Sequence, residues 1–338
     1  VKKKHYNIPI FIPELACPHQ CVFCDQVQIS GEEEVPAPEE VPTIIESYLQ
    51  TMDAGKAEIE IAFFGGSFTG IPAEQQEAYL SAAHTYLKAG KVHGIRLSTR
   101  PDYIDEEILN RLQKFGVTAI ELGAQSMDPL VLKRTARGHS IQDVYDAVAL
   151  IKKYDFELGL QMMIGLPEDT LEKALFTAKE IIKLGAETTR IYPTLIIPNT
   201  ALHRLYKTNR YQPLELEDAV NWVAEILPLF EAAGIKVLRT GLHPSDDLRS
   251  GKAMVAGPFH PSFKELVLSR IWGNILKPAL AMHAQKAPQV LISVPPNQLN
   301  YAVGFKAQNR NYLKKEGIQA KFVADANLSA FNFSLVKK

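Results

Sequence analysis

Cysteine is nearly absent: the chain has three in 338 residues, all within one eight-residue stretch. An odd number packed that closely makes a poor disulfide framework, and a reduced cytoplasmic setting is the simpler context. Long apolar runs are missing as well. Stretches such as Ile8–Ile12 and Pro278–Met282 fall far short of the roughly 20 residues that a membrane helix needs, so no membrane partner is expected. No apolar segment of signal-peptide type follows the opening Val-Lys-Lys-Lys-His, so the expected location is cytoplasmic. An excess of one charge is missing too, with 37 Lys and Arg against 38 Asp and Glu, a net charge of −1. Apolar residues are not scarce. At 46% hydrophobic and 22% charged, the composition excludes a mainly disordered chain.

The balanced charge conceals an uneven distribution. From Gly251 to Lys338 there are 12 basic and 3 acidic residues, an excess of +9; the rest carries 25 basic and 35 acidic, an excess of −10. A basic C-terminal part on an acidic body suits an anionic ligand, or else a basic solvated surface that binds nothing.

Apolar periodicity alternates between strand and helix. Strands are expected at Asn7–Pro13, Glu58–Phe64, Gly94–Ser98, Thr118–Leu122, Glu157–Ile164, Thr189–Leu195 and Ile235–Arg239. Helices fall between them at crossover length, one capped by Asp105 and one by Ser140. That pattern implies an α/β fold with a parallel sheet and helices outside, a partial (βα)6-type TIM barrel. The alternation stops after Arg239. The expected division is a barrel over residues 1–240, a turn-rich linker over 241–263, and a small basic α/β appendage over 264–338. In the appendage the pattern suggests a helix Lys264–Gln285 broken near Pro278, a strand Gln289–Val294, a helix Leu299–Glu316, and a β stretch at Ile318–Ala324 and Phe331–Val336.

Chemistry in such folds gathers at the C-terminal ends of strands. There lie Cys17-Pro-His-Gln-Cys21-Val-Phe-Cys24, then Gly65-Gly66-Ser67, then Ser98-Thr99-Arg100, then Gly123-Ala124-Gln125-Ser126. Three thiolates on one loop call for a soft metal. A closed zinc site needs four ligands, and His19, between two of the cysteines, is the local candidate for the fourth. An iron–sulfur cube held by three cysteines would instead keep one iron open.

The spacing C-x3-C-x2-C with Phe23 before the last cysteine resembles the cluster loop of radical S-adenosylmethionine (SAM) enzymes. The resemblance implies that Cys17, Cys21 and Cys24 hold a 4Fe-4S cluster whose open iron is chelated by SAM. It implies that Gly65, Gly66 and Ser67 receive the methionine amino group. Gln125 and Arg137, twelve residues apart, match a SAM-contacting pair of the coproporphyrinogen dehydrogenase group. That group carries acids where this chain has Ser98 and Gln161. The stretches Ser98–Asp102, Leu122–Ser126, Ala136–His139 and Ile191–Leu195 look most like the radical SAM domain of the Elongator catalytic subunit, without its acetyltransferase domain. By that resemblance Phe23, Ser98, Thr99, Arg100 and Gln161 also face the cofactor, and Tyr192 is the candidate catalytic residue at the mouth of strand six. Its competing reading is a buried ring with a satisfied hydroxyl. His243 and His260 are read as structural.

The implied chemistry is reductive cleavage of SAM to a 5′-deoxyadenosyl radical that takes hydrogen from a substrate, with a flavodoxin- or ferredoxin-like electron donor. Three substrate readings follow. One is an RNA base, with tRNA held by the basic C-terminal region. Another is a small metabolite such as a tetrapyrrole. The third, from a different class, is a zinc-bound, non-catalytic RNA-binding module.

Overall fold

A computed structural model describes residues 4–12, 21–25, 28, 34–52, 57–242, 245–281 and 289–337. Seven strands carry the architecture: β1 Lys4–Ile12, β2 Ala57–Gly65, β3 Gly94–Thr99, β4 Ala119–Gln125, β5 Glu157–Ile164, β6 Thr188–Pro193 and β7 Lys236–Thr240. They form one sheet in sequential order, and every neighbouring pair is parallel. This is the expected partial barrel.

Strand alternation sorts the side chains. Ile59, Ile61 and Phe63 of β2, Ile95 and Leu97 of β3, Ile120 and Leu122 of β4, and Leu158 and Leu160 of β5 join the main apolar core with the surrounding helices. The intervening positions, Glu60, Arg96, Glu121, Gln161 and Arg190, are joined by hydrogen bonds on the other face. The Arg190 guanidinium of β6 lies 4.8 Å from the ring centre of Phe64 on β2. In a flat sheet those strands would stand about 19 Å apart, at about 4.8 Å per step. The contact therefore requires the sheet to curl around its polar face.

Local signals set the helix starts. Asp105 accepts from the Ile108 N–H, Thr170 from the Lys173 N–H, and Ser140 forms a capping box with Asp143.

Beyond the barrel, helix Phe263–Ala281 is shared between two cores. Phe263, Val267, Leu268 and Ile271 pack into the main core. Trp272, Leu276 and Leu280 pack with Val290, Ile292 and Val294 of strand β8, Gln289–Val294. Strand β8 pairs in parallel with β9, Gln319–Ala324, and antiparallel with β10, Ser334–Lys337. Two expectations are corrected here. Pro278 does not break the helix, which runs through it to Ala281. The expected helix Leu299–Glu316 is interrupted. Leu299–Val303 and Gln308–Lys315 are separated at Gly304, whose φ of +93° is open to glycine but not to a continuing helix. Among the described residues no helix is long and apolar enough to cross a membrane.

Candidate active site at the C-terminal strand ends

Cys17 lies outside the described residues, as do His19 and His243. The rest of the cysteine loop that is described, residues 21–25, is firmly anchored. The Val22 N–H donates to the Thr135 carbonyl at 3.0 Å, and the Leu202 N–H donates to the Val22 carbonyl at 2.7 Å. A turn closes with the Cys24 N–H donating to the Cys21 carbonyl. Cys21 and Phe23 are buried in an apolar cluster with Val131, Leu166, Leu202 and Tyr211, while Cys24 is half-buried. Phe23 thus packs the loop against the barrel top.

The glycine pair meets the same region. Gly65 ends β2 opposite Ile12, and the Gly66 N–H donates to the Ile12 carbonyl at 2.9 Å. The pair is therefore fixed at the end of β1, where the cysteine loop begins. Ser67 is buried beside it. Thr69 holds this segment to β3, with its hydroxyl 2.5 Å from that of Thr99 and donating to the Tyr103 carbonyl at 2.7 Å.

Gln125 and Arg137 converge on Gly123. Gln125 has a left-handed backbone (φ +63°) at an irregularity that ends β4. Arg137 is presented by a turn whose flanking residues, Ala136 and Gly138, are also left-handed (φ +50° and +86°). A non-glycine residue there costs of order 1–2 kcal/mol, so the presentation is maintained against local strain. Arg137 Nη2 donates to the Gly123 carbonyl at 2.9 Å, and Nη1 lies 3.4 Å from Cys21 Sγ. A Cβ on Gly123 would lie 2.7 Å from Arg137 Nη2 and 2.9 Å from the Gln125 amide nitrogen. Only glycine lets both groups come so close. Arg100 braces this turn, because its Nη1 donates to the Arg137 carbonyl at 2.7 Å while Nε and Nη2 fork onto Asp102.

This neighbourhood holds polar atoms with nothing to bind. Among the described residues, Gln125 Oε1 and Arg137 Nε are buried without a hydrogen-bond partner. Such atoms cost of order 1–3 kcal/mol each unless a ligand or water satisfies them. His139 is neutral here. Burial, and then the Arg137 and Arg100 charges, push it down to about 3.

Below this layer runs a charged network that the sequence reading missed. Arg96 donates to Glu60 (2.7 Å), Glu121 (2.9 Å) and Glu157 (3.0 Å). Arg190 forks onto Glu121 at 2.5 and 2.9 Å. Burial raises the carboxylates, yet their arginine and histidine partners outweigh it. Glu60 falls to about 2 through His5 and Arg96, and Glu121 is lowered by Arg190 and Arg96. Gln161 Nε2 links the network upward, donating to Ser98 Oγ and to Glu121 Oε2, both at 3.1 Å. Ser98 and Gln161 are therefore one unit. Tyr192, two residues beyond Arg190, places its phenol against that guanidinium. The signal available in sequence was the recurrence of charge at inward positions on β2, β3, β4 and β6.

The donor set fits an iron–sulfur cluster with a bound SAM. Cys21 and Cys24 are held on one turn, and a guanidinium donating to Cys21 suits a sulfur that carries negative charge. The unpartnered Arg137 Nε and Gln125 Oε1 suit a carboxylate and hydroxyls.

The sequence model of the radical SAM superfamily matches residues 12–181, and that of the Radical_SAM C-terminal domain matches residues 186–272. Elongator complex protein 3 of Saccharomyces cerevisiae is 31% identical over 191 residues, spanning 51% of this chain and 34% of that protein. A tRNA uridine(34) acetyltransferase of Dehalococcoides mccartyi is 23% identical over 258 residues, spanning 66% and 56%. The chain thus spans about a third to a half of the length of these relatives. Among solved structures, the archaeal Methanocaldococcus infernus Elp3 shares the fold with a TM-score of 0.63 at 21% identity, covering 80% of this chain and 63% of that one.

Proposed function

The chain belongs to the radical SAM superfamily, and from that premise we propose that it binds a 4Fe-4S cluster through Cys17, Cys21 and Cys24 and modifies a base of tRNA in the cytoplasm. When bound, the cluster and SAM supply a 5′-deoxyadenosyl radical for abstracting hydrogen from carbon, with the electron coming from a flavodoxin- or ferredoxin-like donor. The observation that carries this reading is the pair of buried, unpartnered groups on Gln125 and Arg137, the latter with its guanidinium against Cys21.

The chain's own residues do the positioning. Arg137 meets the SAM carboxylate while remaining anchored on the Gly123 carbonyl. Gln125 meets the ribose hydroxyls. Gly65, Gly66 and Ser67 present backbone at the end of β2 to the amino group. Thr99 and Arg100 hold the walls of this space through Thr69 and the Arg137 turn. The Ser98–Gln161 unit lines the cofactor side of the polar face, and Tyr192, at its mouth beside Arg190, donates a hydrogen bond to the substrate. Phe23 and its apolar neighbours keep water from the cysteine loop.

The relatives named for uridine-34 and Elongator activity, together with the +9 excess beyond Ser250, favour tRNA as the substrate. The test is anaerobic reconstitution with dithionite and SAM, measuring 5′-deoxyadenosine with and without bulk tRNA. Stimulation by tRNA that disappears after nuclease treatment is the expected result. Equal rates with and without tRNA contradict the RNA substrate and leave a small metabolite.

A further inference from the structure

We propose that the cavity between helix Phe263–Ala281 and residues 296–305 receives an unpaired RNA base with an amino-bearing edge (cytosine, adenine or guanine) in preference to uracil. The proposal rests on the RNA reading above and gives it a second contact point, outside the barrel mouth. The family matches end at Trp272, and most of the cavity wall comes from residues beyond that point.

The cavity has a volume of about 370 Å³. That lies at the low end for small-ligand sites and suits a single base. Its polar groups are Glu265, Asn297 and Asn300, and its rings are Tyr301 and Phe305. Each asparagine offers both a donor and an acceptor, so the pair can read a base edge. Glu265 lines the cavity together with Tyr301 and, when ionised, only accepts. A carboxylate repels a phosphate but takes the amino hydrogens of cytosine, adenine or guanine, which uracil lacks. The chemistry of the walls therefore points to a base and away from the backbone of the strand.

The segment that carries Phe305 is anchored at the cavity wall. The Phe305 backbone N–H donates to Ser269 Oγ at 2.8 Å, and His260 meets the ring edge-on at 5.6 Å. The loop carrying it is strained, with Lys306 and Ala307 both left-handed at φ +50° and +59°. Strain of this kind gathers at ligand clamps. A cation stands beside the cavity ring: the exposed Lys306 lies 5.6 Å from the centre of Phe305. Interleaved cations and aromatic rings are the makeup of surfaces that bind single strands.

The test uses the full chain and fluorescence anisotropy with short oligocytidylate and oligouridylate. Wild type binds oligocytidylate roughly tenfold more tightly, the scale of one good edge contact. Phe305→Leu keeps apolar volume but removes the stacking ring, and weakens both oligonucleotides about tenfold. Glu265→Gln abolishes the preference for cytosine, and Asn300→Ala, at an exposed position, reduces it. Formation of 5′-deoxyadenosine without RNA stays unchanged in all three, which shows an intact fold and cofactor site. Binding that shows no base preference, or that none of the variants alters, overturns the cavity proposal and leaves the RNA substrate standing. Absence of binding to oligonucleotides and to tRNA alike overturns both.

Discussion

Gly123→Ala separates the cofactor site from the fold. The added methyl would lie 2.7 Å from Arg137 Nη2 and 2.9 Å from the Gln125 amide nitrogen, while the nearest backbone atom, the Thr99 carbonyl oxygen, stays at an ordinary 3.6 Å. Both crowded atoms are the far ends of flexible side chains, so the fold accommodates the change by moving them. The cost to stability is the Arg137–Gly123 hydrogen bond, about 1–3 kcal/mol. The cost to binding is larger, because the two groups assigned to SAM are displaced together. Loss of one or two charge-assisted contacts is worth about 1.5–3 kcal/mol, or about ten- to a hundredfold in Kd. Equilibrium dialysis of SAM against the reconstituted protein measures the affinity, and thermal melting of the same sample measures the fold. The expected outcome is a Tm within a few degrees of wild type with a SAM Kd raised at least tenfold. Unchanged affinity would refute the placement of Gln125 and Arg137 against SAM.

Other perturbations reach separate parts of the account. Glu121→Leu leaves the buried Arg190 without its carboxylate and should cost about 3–5 kcal/mol in urea unfolding, as expected for breaking a buried ion pair. Glu121→Leu at wild-type stability would show that the network does not support the barrel. Asp169 gives a pH effect: burial, against the Gly165 and Thr170 N–H donors, raises it to about 7. Its folded pKa thus exceeds the unfolded value, so its contribution is complete below about pH 4 and is lost as pH rises to about 7, by up to about 4 kcal/mol. Asp169→Asn should flatten that decline in unfolding free energy, and an identical slope in the variant would contradict it.

The barrel was legible because seven apolar segments alternate with helical ones, and all seven strands are found close to their expected limits. The site was legible where it is local in sequence: the cysteine loop, the glycine pair, and the Gln125–Arg137 spacing. What stayed hidden depends on the curl of the sheet. Glu58 and Glu60 both alternate with isoleucine in β2, yet Glu58 is exposed and Glu60 buried. Periodicity identifies a strand but not which polar position faces a partner four strands away. Arg190 looked unremarkable for the same reason, because Glu121 lies 69 residues from it. The break at Gly304 was missed because the apolar spacing on either side continues in helical phase. The break is local: Gly304 takes a φ of +93°, and a Cβ there would press on the Asn309 backbone at 2.8 Å.

The most direct measurement of the central claim is metal content and SAM cleavage in wild type and Cys21→Ala, both reconstituted anaerobically. Wild type should hold about four irons per chain and release 5′-deoxyadenosine under dithionite, and the variant should lose both. One zinc with no iron in wild type, or continued cleavage by the variant, would contradict it.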